Sequence, residues 1–363
     1  MKLCFAIGSL SYSGAEKIMY HLLKELKSRG HEVSVILIAC EEAYDNIDLE
    51  GIKQFAIFDR EEEANRNRFA RIYKRQQRIR KVLLENEFDL VVSFGVRYNL
   101  DVIQACRGIK VKTVLCERND PYNDPASKLL RIRRKISYKK ANAFVFQTED
   151  IKNFFEDSIR KRAAVIPNFI EKRVLKEELC SEKRNSFVTC ARLDDNQKNQ
   201  TALIKAFYEF SKTNESYKLE FYGDGPDRKK YEQLIAELNM QDKIILHGRI
   251  NNPMSEVKKC KFFVFSSKYE GMPNALIEAM AYGMPCIATD CSGGGVRALI
   301  ENGVNGIIVP YGDQDALLSE MIRLSKDESL GARLGENAYE INDKLEMQNI
   351  ISMWENFFWQ VIE

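Results

Sequence analysis

Residues 266–283 read SSKYEGMPNALIEAMAYG, and their pattern indicates the class of fold. This stretch follows the apolar run 262–265, which predicts a buried strand that ends near Ser266. A polar turn comes next, and Pro273 stands where proline is best tolerated, in the first turn of a helix. The free N–H groups at such a helix start form a natural site for an anion or a polar ligand. A strand, a short turn and a helix in this order predict one unit of a parallel α/β sheet.

The same alternation of strand and helix extends in both directions from this stretch. Short runs rich in Val, Ile, Leu and Phe alternate with longer segments of helical period, which is typical of parallel sheets covered on both faces. The predicted strands are 2–7, 32–39, 90–94, 112–116, 143–146, 163–166, 187–190, 218–222, 243–246, 262–265, 285–289 and 306–309. The predicted helices include 14–28, 199–212, 226–239 and 273–282. We therefore expect an α/β protein with two tandem Rossmann-like domains that face a central cleft at the carboxyl ends of their strands.

The charge of the chain is divided unevenly. The charged stretch 171–183 predicts an interdomain linker, and the formal net charge of the whole chain is only +2. Residues 1–168 carry 31 basic and 23 acidic side chains, a net charge of +8, whereas the remainder carries 24 and 30, a net charge of −6. We expect the two halves to present surfaces with different partners.

The composition excludes several classes of protein. The 363 residues are 45% hydrophobic and 30% charged, which suits about two globular domains. Nine scattered cysteines without a Cys-x-x-Cys spacing and only three histidines argue against a disulfide framework or a zinc site, and favour the cytosol. No apolar run approaches the ~18 residues of a membrane span. The loop 8–17 is neither a Walker A loop nor a Gly-x-Gly-x-x-Gly turn, so nucleotide hydrolysis and hydride transfer lose support.

Several motifs in the second half resemble one enzyme family. Residues 266–283 resemble the Glu-x7-Glu signature of the retaining glycosyltransferases of family 4, which have the GT-B fold. The elements 191–199 (ARLDDNQKN), 222–226 (YGDGP), 247–249 (HGR) and 303–310 (GVNGIIVP) are similar to that family's other motifs in order and spacing. The resemblance implies an N-terminal acceptor-binding domain, a C-terminal nucleotide-sugar-binding domain and a terminal helix that packs back on the first domain. Their expected ranges are 1–168, 169–345 and 346–363.

The resemblance also implies roles for particular residues. It makes Glu270 the contact to the donor sugar and Glu278 the contact to the ribose hydroxyls, while Arg192 and Lys198 hold the diphosphate. Fixed cations stabilise the charge that develops on a leaving diphosphate, so Arg192 and Lys198 are catalytic candidates, and Glu270 joins them through its contact to the donor sugar. The expected donor-binding residues are Glu278, Gly271, Met272, Asn274, Gly223, Gly248 and Arg249. From spacing alone, Glu270 fits a helix cap equally well, and Glu278, Arg192 and Lys198 fit surface charges.

The acceptor side is expected in the first domain. The loop 8–17 resembles the family's glycine-containing loop, which makes Gly14 and Ala15 candidates. No histidine follows a suitable strand, although many retaining relatives place one in the cleft. The segment 116–121 takes that position, so Glu117, Arg118 and Asn119 become acceptor-side candidates, with an ion-paired structural loop as the alternative. No base is evident in the donor half, and we expect front-face attack assisted by the departing phosphate, without a metal or other cofactor.

Two basic segments predict a further partner. Cations recur from Arg66 to Lys81 and from Lys128 to Lys140, and the first segment also carries apolar residues at helical spacing. Such basic amphipathic helices suit an anionic membrane surface, with a solvated polar face as the alternative. No RNA-binding motif accompanies them, so nucleic acid is not expected. We expect a cytoplasmic protein held peripherally on the inner face of the plasma membrane.

The function expected from these features is transfer of a hexose or N-acetylhexosamine from a nucleotide diphosphate sugar, a UDP-sugar by preference. The acceptor is expected to be a polyprenyl-diphosphate-linked sugar or a growing surface glycan such as a capsular polysaccharide or an exopolysaccharide. Two alternatives stay open: a GT-B-fold sugar-nucleotide epimerase and a non-catalytic nucleotide-sugar-binding subunit. An epimerase needs acid and base side chains across the cleft, which the motifs do not supply.

Overall fold

The chain folds as two units, each built on its own parallel β-sheet. The computed structural model describes residues 1–10, 14–39, 49–58, 67–180 and 182–363. Unit 1 comprises Met1–Phe169 with Met347–Glu363, and unit 2 comprises Ile170–Glu346. The prediction of an α/β protein with two Rossmann-like sheets is confirmed.

Unit 1 contains a sheet of seven parallel strands. The strands are β1 Lys2–Ile7, β2 Glu32–Leu37, β3 Lys53–Ala56, β4 Leu90–Phe94, β5 Lys112–Cys116, β6 Ala143–Phe146 and β7 Ala163–Val165. The helices between them are α1 Gly14–Ser28, α2 Arg68–Asn86, α3 Val96–Ala105, α4 Lys128–Ser137, α5 Glu149–Asn153 and α6 Asp157–Arg160. The strand order is β3-β2-β1-β4-β5-β6-β7, so the chain reverses direction across the sheet after β3.

The strands of unit 1 read as continuous apolar runs because both faces of the sheet are covered. In β1, Leu3 and Phe5 pack into the cluster that contains α1, while Cys4 and Ala6 pack into the cluster that contains α2. All four side chains have no exposed surface. Burial on both faces removes the alternation of apolar and polar residues that marks a half-exposed strand.

Sequence periodicity did not predict β3. This strand pairs only with β2, at the edge of the sheet, and its sequence KQFA leaves most of its side chains exposed. A short polar edge strand has no apolar run, so its pairing is determined by the neighbouring strand.

Unit 2 contains a sheet of six parallel strands. The strands are β8 Arg184–Cys190, β9 Lys218–Tyr222, β10 Ile244–Gly248, β11 Cys260–Phe265, β12 Cys286–Asp290 and β13 Ile307–Pro310. The helices are α7 Asp195–Lys198, α8 Gln200–Ser211, α9 Arg228–Glu237, α10 Met254–Val257, α11 Asn274–Ala281, α12 Gly295–Leu299, α13 Gln314–Lys326, α14 Glu328–Tyr339 and α15 Ile341–Lys344. The strand order β10-β9-β8-β11-β12-β13 changes direction between β8 and β11, and ligands of such sheets bind beyond the carboxyl ends of the strands at that point.

The last helix, α16 (Met347–Ile362), belongs to unit 1. Its Trp354 stacks on Phe94 with ring centroids 6.0 Å apart, and its Phe358 meets Phe5 at 6.2 Å. Glu355 accepts hydrogen bonds from Arg29 at 2.9 Å and contacts His31 at 2.7 Å. The aromatic stripe of this helix is therefore part of the core of unit 1.

Two further features bear on the sequence predictions. The eight cysteines within the described ranges all carry free thiols. In those same ranges no helix has both the length and the hydropathy that crossing a bilayer requires.

Candidate active site

The signature stretch forms a loop between β11 and α11 that is tied to its neighbours by backbone contacts. The Thr289 hydroxyl donates to the carbonyl of Ser267 at 2.7 Å, and the Ser266 hydroxyl donates to the carbonyl of Lys198 at the same distance. The Lys268 amide donates to the carbonyl of Gln197 at 2.7 Å. The loop is thus joined to α7, which carries the Lys-Asn motif.

These contacts bring two predicted catalytic residues together. The Lys198 Nζ donates directly to the Glu270 Oε1, and the Ser267 hydroxyl lies 3.2 Å from the same oxygen. The two side chains are only 17% and 13% exposed, so solvent screens the pair far less than it screens a surface ion pair. Glu270 is therefore the ion-pair partner of the predicted phosphate-binding lysine, and its second carboxylate oxygen faces no other partner among the described residues.

The third catalytic candidate is open to a ligand. Arg192 follows β8, and its side chain is exposed, with no ion-pair partner in the part of the chain that the structure describes. An unpaired guanidinium offers five N–H donors, two of which match a phosphate. Glu278 lies in the second turn of α11 and is half-buried.

The turn before α11 packs so closely against Gly295 that a side chain at position 295 has no room. Gly271 and Met272 are buried, and Asn274 is the first residue of the helix. A Cβ on Gly295, the first residue of α12, would lie 3.0 Å from the Cα of Met272 and closer still to the carbonyl oxygen of Gly271. The glycine at 295 therefore sets the position of the turn at which donor binding is predicted.

Two glycines of the turn 222–226 lie against the Ala191-Arg192-Leu193 segment. Gly223 has φ +139°, and a Cβ there would meet the carbonyl carbon of Ala191 at 2.9 Å. A Cβ on Gly225 would lie 2.7 Å from the amide nitrogen of Leu193. The Gly223 amide donates to the Gly248 carbonyl at 2.9 Å, and Arg249 follows with an exposed side chain. The predicted donor-binding glycines thus place three loops side by side.

A carboxylate that the motifs did not mark supports the 247–249 loop. Glu220, in the middle of β9, is buried, and its Oε2 lies 2.9 Å from His247 Nε2 and 3.1 Å from the Tyr222 hydroxyl. The rings of His247 and Tyr222 stack with centroids 4.4 Å apart. The sequence signal that could have identified Glu220 is a charged residue inside an otherwise apolar strand, because such a residue needs buried partners.

The first glycine of the unit 1 loop lies against the ring of a tyrosine. A Cβ on Gly8 would lie 2.8 Å from a ring carbon of Tyr98, a residue of α3 that belongs to none of the sequence motifs. The Ser9 hydroxyl donates to Glu16, which is buried in the first turn of α1. Gly14 is exposed at the start of α1 and Ala15 is half-buried beside it. Sequence reasoning identified the loop but not Tyr98 and Glu16, the side chains packed against it.

The three candidates after β5 have different environments. Glu117 is buried, and its Oε1 accepts a 2.6 Å hydrogen bond from the Tyr138 hydroxyl and lies 3.6 Å from Arg134. Burial raises the pKa of Glu117 to about 7. The Asn119 side chain accepts from the Asp120 amide at 2.9 Å. Glu117 and Asn119 thus bond to other groups of unit 1, and their acceptor-side role stays a prediction.

Arg118 is different, because part of its guanidinium has no partner. One Nη donates to Asn168, and the guanidinium lies 4.7 Å from the centre of the Phe94 ring. Its Nε and other Nη are buried and make no hydrogen bond to any described residue. Burial lowers the pKa of Arg118 to about 10, so the side chain stays cationic near neutral pH. Buried N–H groups without partners mark a place where a ligand or water completes the bonding.

Two sequence families match the chain one after the other. The family described as glycosyltransferase family 4 matches residues 12–173, and the family described as glycosyl transferases group 1 matches residues 171–341. The chain therefore belongs to the glycosyltransferases that these two descriptions cover, and the predicted family resemblance is confirmed.

Solved structures show the same fold. The lipopolysaccharide outer core galactosyltransferase WaaB superposes with a TM-score of 0.76 at 20% identity and covers 99% of both chains. The Anabaena protein HepE, solved in complex with UDP, superposes with a TM-score of 0.80 at 17% identity and covers 99% of this chain and 100% of its own. The GT-B fold expected from the sequence is confirmed.

Two curated relatives match most of the chain. An uncharacterized glycosyltransferase of Methanocaldococcus jannaschii is 28% identical over 78% of this chain and 82% of its own. A Campylobacter jejuni enzyme is 27% identical over 98% of this chain and 97% of its own. It is named GalNAc-alpha-(1->4)-GalNAc-alpha-(1->3)-diNAcBac-PP-undecaprenol alpha-1,4-N-acetyl-D-galactosaminyltransferase.

Proposed function

We propose that the protein is a retaining glycosyltransferase that moves a hexose or N-acetylhexosamine from a UDP-sugar to a hydroxyl of a lipid-linked or growing surface glycan. The contact between Lys198 and Glu270 carries the proposal. It joins a cation suited to a leaving diphosphate and a carboxylate suited to sugar hydroxyls within one small, partly buried group. A site with only the cation would bind a nucleotide and leave the sugar unrecognised.

The proposed chemistry proceeds on one face of the donor sugar. The bond between the anomeric carbon and the phosphate oxygen breaks while the acceptor oxygen bonds to the same carbon from the same side. The proton of the acceptor hydroxyl passes to the departing phosphate oxygen, and UDP leaves. Arg192 and Lys198 stabilise the negative charge on the diphosphate, and Glu270 orients the sugar through its hydroxyls. Transfer without a metal is part of the proposal because these two side chains supply the positive charge.

The relatives support the choice of donor and acceptor classes. The HepE structure holds UDP, and the Campylobacter relative is named for an acceptor linked to undecaprenol through a diphosphate. Arg118, with two guanidinium nitrogens that have no hydrogen-bond partner among the described residues, is the residue of unit 1 that we assign to the acceptor side. Gly14 and Ala15, in the loop 8–17 at the start of α1, are also proposed for the acceptor side.

The first experiment follows UDP release from a panel of UDP-hexoses and UDP-N-acetylhexosamines, with and without glycan and lipid-linked acceptors. Release that requires an acceptor supports transfer, conversion of one UDP-sugar into another supports an epimerase, and binding without turnover supports a non-catalytic subunit. Retention is read by NMR from the anomeric configuration of the product. An inverted product contradicts the front-face mechanism.

The site assignment is tested by Glu270→Gln. The amide keeps the shape but loses the charge that holds Lys198, so we expect transfer to fall at least about 100-fold while UDP affinity changes little. Glu237→Gln is the matched control, because Glu237 is exposed at the end of α9. Wild-type turnover of the Glu270→Gln variant contradicts the catalytic assignment.

An anionic membrane surface is the proposed partner of unit 1, at the cytoplasmic leaflet where a lipid-linked acceptor is presented. In the segment 66–81, three arginines bond to other groups of unit 1 and are therefore less available to a membrane surface. Arg75 pairs with Asp101 at 2.7 Å, Arg78 donates to the carbonyl of Ile57 at 2.9 Å, and Arg80 donates to the carbonyl of Ala105 at 3.0 Å. Arg66 lies outside the described residues. The segment 128–140 is therefore the stronger part of this proposal.

A further inference from the structure

Helix α4 exposes three of its four large apolar side chains. Leu129, Ile132 and Ile136 are 59%, 58% and 59% exposed. Their spacing of three and four residues places them on one side of the helix. Leu130 is the apolar residue of α4 that packs into the core of unit 1. An exposed stripe of three large aliphatic side chains on one helix is unusual for a protein surface that contacts only water.

The orientation of α4 is held by a buried cation. Arg134 is 3% exposed and donates to the carbonyls of Asp124 at 2.9 Å and Pro121 at 2.8 Å. Its guanidinium also lies 5.0 Å from the centre of the Phe154 ring. Turning the helix to bury the aliphatic stripe would remove Arg134 from all of these partners. The exposed stripe is therefore fixed by the fold.

Basic side chains border the stripe. The helix sequence KLLRIRRKIS contains no acidic residue. Lys128 and Lys135 are exposed, as is Lys140 in the turn that follows, and none of the three has an ion-pair partner among the residues that the structure describes. An aliphatic stripe with ammonium groups beside it matches the boundary between lipid headgroups and acyl chains.

A pair of exposed aromatic residues on α2 lies on the same side of the sheet as the aliphatic stripe of α4. Phe69 is 80% exposed and Tyr73 is 64% exposed, both in the first two turns of α2. Both α2 and α4 pack against α3. All three helices begin near the carboxyl edge of the strands, the edge at which Arg118 lies. The apolar surface and the acceptor-side arginine thus belong to one edge of unit 1.

We propose that α4 inserts Leu129, Ile132 and Ile136 into the interface of an anionic bilayer. The proposal deepens the membrane contact put forward above, because it adds buried apolar area to charge attraction. A second copy of the chain is the competing occupant of the stripe. A symmetric contact through α4 would place its lysines and arginines against the same residues of the other copy, and that repulsion favours lipid.

The test is cosedimentation with vesicles of phosphatidylcholine alone and of phosphatidylcholine mixed with phosphatidylglycerol, at low and high salt. We expect wild-type protein to bind the anionic vesicles and to keep a measurable part of that binding at high salt, because salt screens charge but not apolar burial. Replacing Leu129, Ile132 and Ile136 by Ser should weaken binding at least about tenfold and abolish the salt-resistant part. Replacing Lys128, Lys135 and Lys140 by Ser should mainly weaken binding at low salt.

Two further variants test whether vesicle binding depends on the aliphatic stripe of α4. Leu175, Val304 and Tyr311 are exposed apolar residues of unit 2, and replacing all three by Ser should leave vesicle binding unchanged. An Ile132→Trp variant should show a blue shift of its added fluorescence on mixing with anionic vesicles. Since Ile132 is exposed, this change does not disturb the core, and it tests insertion even where the triple variant folds poorly.

Three outcomes overturn the proposal. The first is equal vesicle binding by the wild type and the aliphatic triple variant, and the second is an Ile132→Trp spectrum that does not shift. The third is a concentration-dependent dimer that the triple variant loses, which assigns the stripe to a second copy. No sugar is present in these assays, so their failure is distinct from a failure of glycosyl transfer.

Discussion

Replacing Gly295 with alanine tests whether the donor turn must lie where the structure places it. The new Cβ would stand 3.0 Å from the Cα of Met272 and from the carbonyl carbon of Gly271. Carbon atoms in ordinary contact are about 3.5–4.0 Å apart, and the Gly271 carbonyl oxygen lies closer still, so the turn has to move by at least roughly 0.5–1 Å. Backbone atoms cannot rotate away as the end of a flexible side chain can.

The size of the effect follows from that displacement. Misplacing a site by about 1 Å costs on the order of 100-fold in rate, and we expect Gly295→Ala to lower kcat/KM for the donor by about 10- to 100-fold. This corresponds to about 1.4–2.7 kcal/mol of transition-state stabilisation. Forcing one extra carbon into a packed region also lowers the free energy of unfolding by about 1–3 kcal/mol.

The assay combines donor kinetics by UDP release, UDP affinity by calorimetry and the free energy of unfolding by denaturant. Gly331→Ala is the control, because a Cβ there meets ring carbons of Phe262 and Pro285 at 3.7 and 3.8 Å, which is ordinary contact. Gly331 lies inside α14, so alanine should be neutral or stabilise the protein by up to about 1 kcal/mol.

Two results would contradict the prediction that donor binding depends on the position of this turn. Wild-type kinetics and stability in Gly295→Ala would mean that the turn relaxes freely. Lower stability with unchanged kinetics and UDP affinity would mean that the turn before α11 takes no part in donor binding.

Two further predictions concern the loop after β5. Because the pKa of Glu117 is about 7 in the folded protein and lower in the unfolded chain, the folded state holds a proton that the unfolded chain has already lost. The free energy of unfolding should therefore fall by up to about 3 kcal/mol as the pH rises from about 4.5 to about 7. Denaturant titrations of Glu117→Gln should show that this dependence on pH is lost. If the slope of stability against pH is unchanged in that variant, the dependence does not come from Glu117. Arg118→Gln should raise KM for the acceptor about tenfold or more with a smaller change in kcat, whereas Lys110→Gln, at an exposed cation, should not; equal acceptor KM values count against Arg118.

The apolar pattern was sufficient to predict most of the fold. Strands such as β1 and β4 are buried on both faces, so each appears as a continuous apolar run between polar turns. Strand β3 was missed because an exposed edge strand owes its pairing to its neighbour and not to its own residues.

The candidate site was predictable only in part. The motifs located Glu270 and Lys198, but not the contact between residues 72 positions apart in the chain. Tyr98 and Glu220 belong to no motif, and their roles depend on what lies against them across the sheet or the loop. Glu117 and Arg118 are adjacent in sequence, yet one is satisfied inside the domain and the other retains unpartnered N–H groups.

The two α/β sheets, the uneven charge of the two halves and the donor-site motifs can all be read from the order of residues, because local periodicity and turn chemistry are properties of neighbouring residues. Which charges are available and which apolar residues are covered depends on the packing of the folded chain. In α4 it buries Arg134 and exposes Ile132, the reverse of what hydropathy alone predicts. Carbonyls of Pro121 and Asp124 in the loop that precedes α4 satisfy the guanidinium, and no pattern within the helix itself records their position.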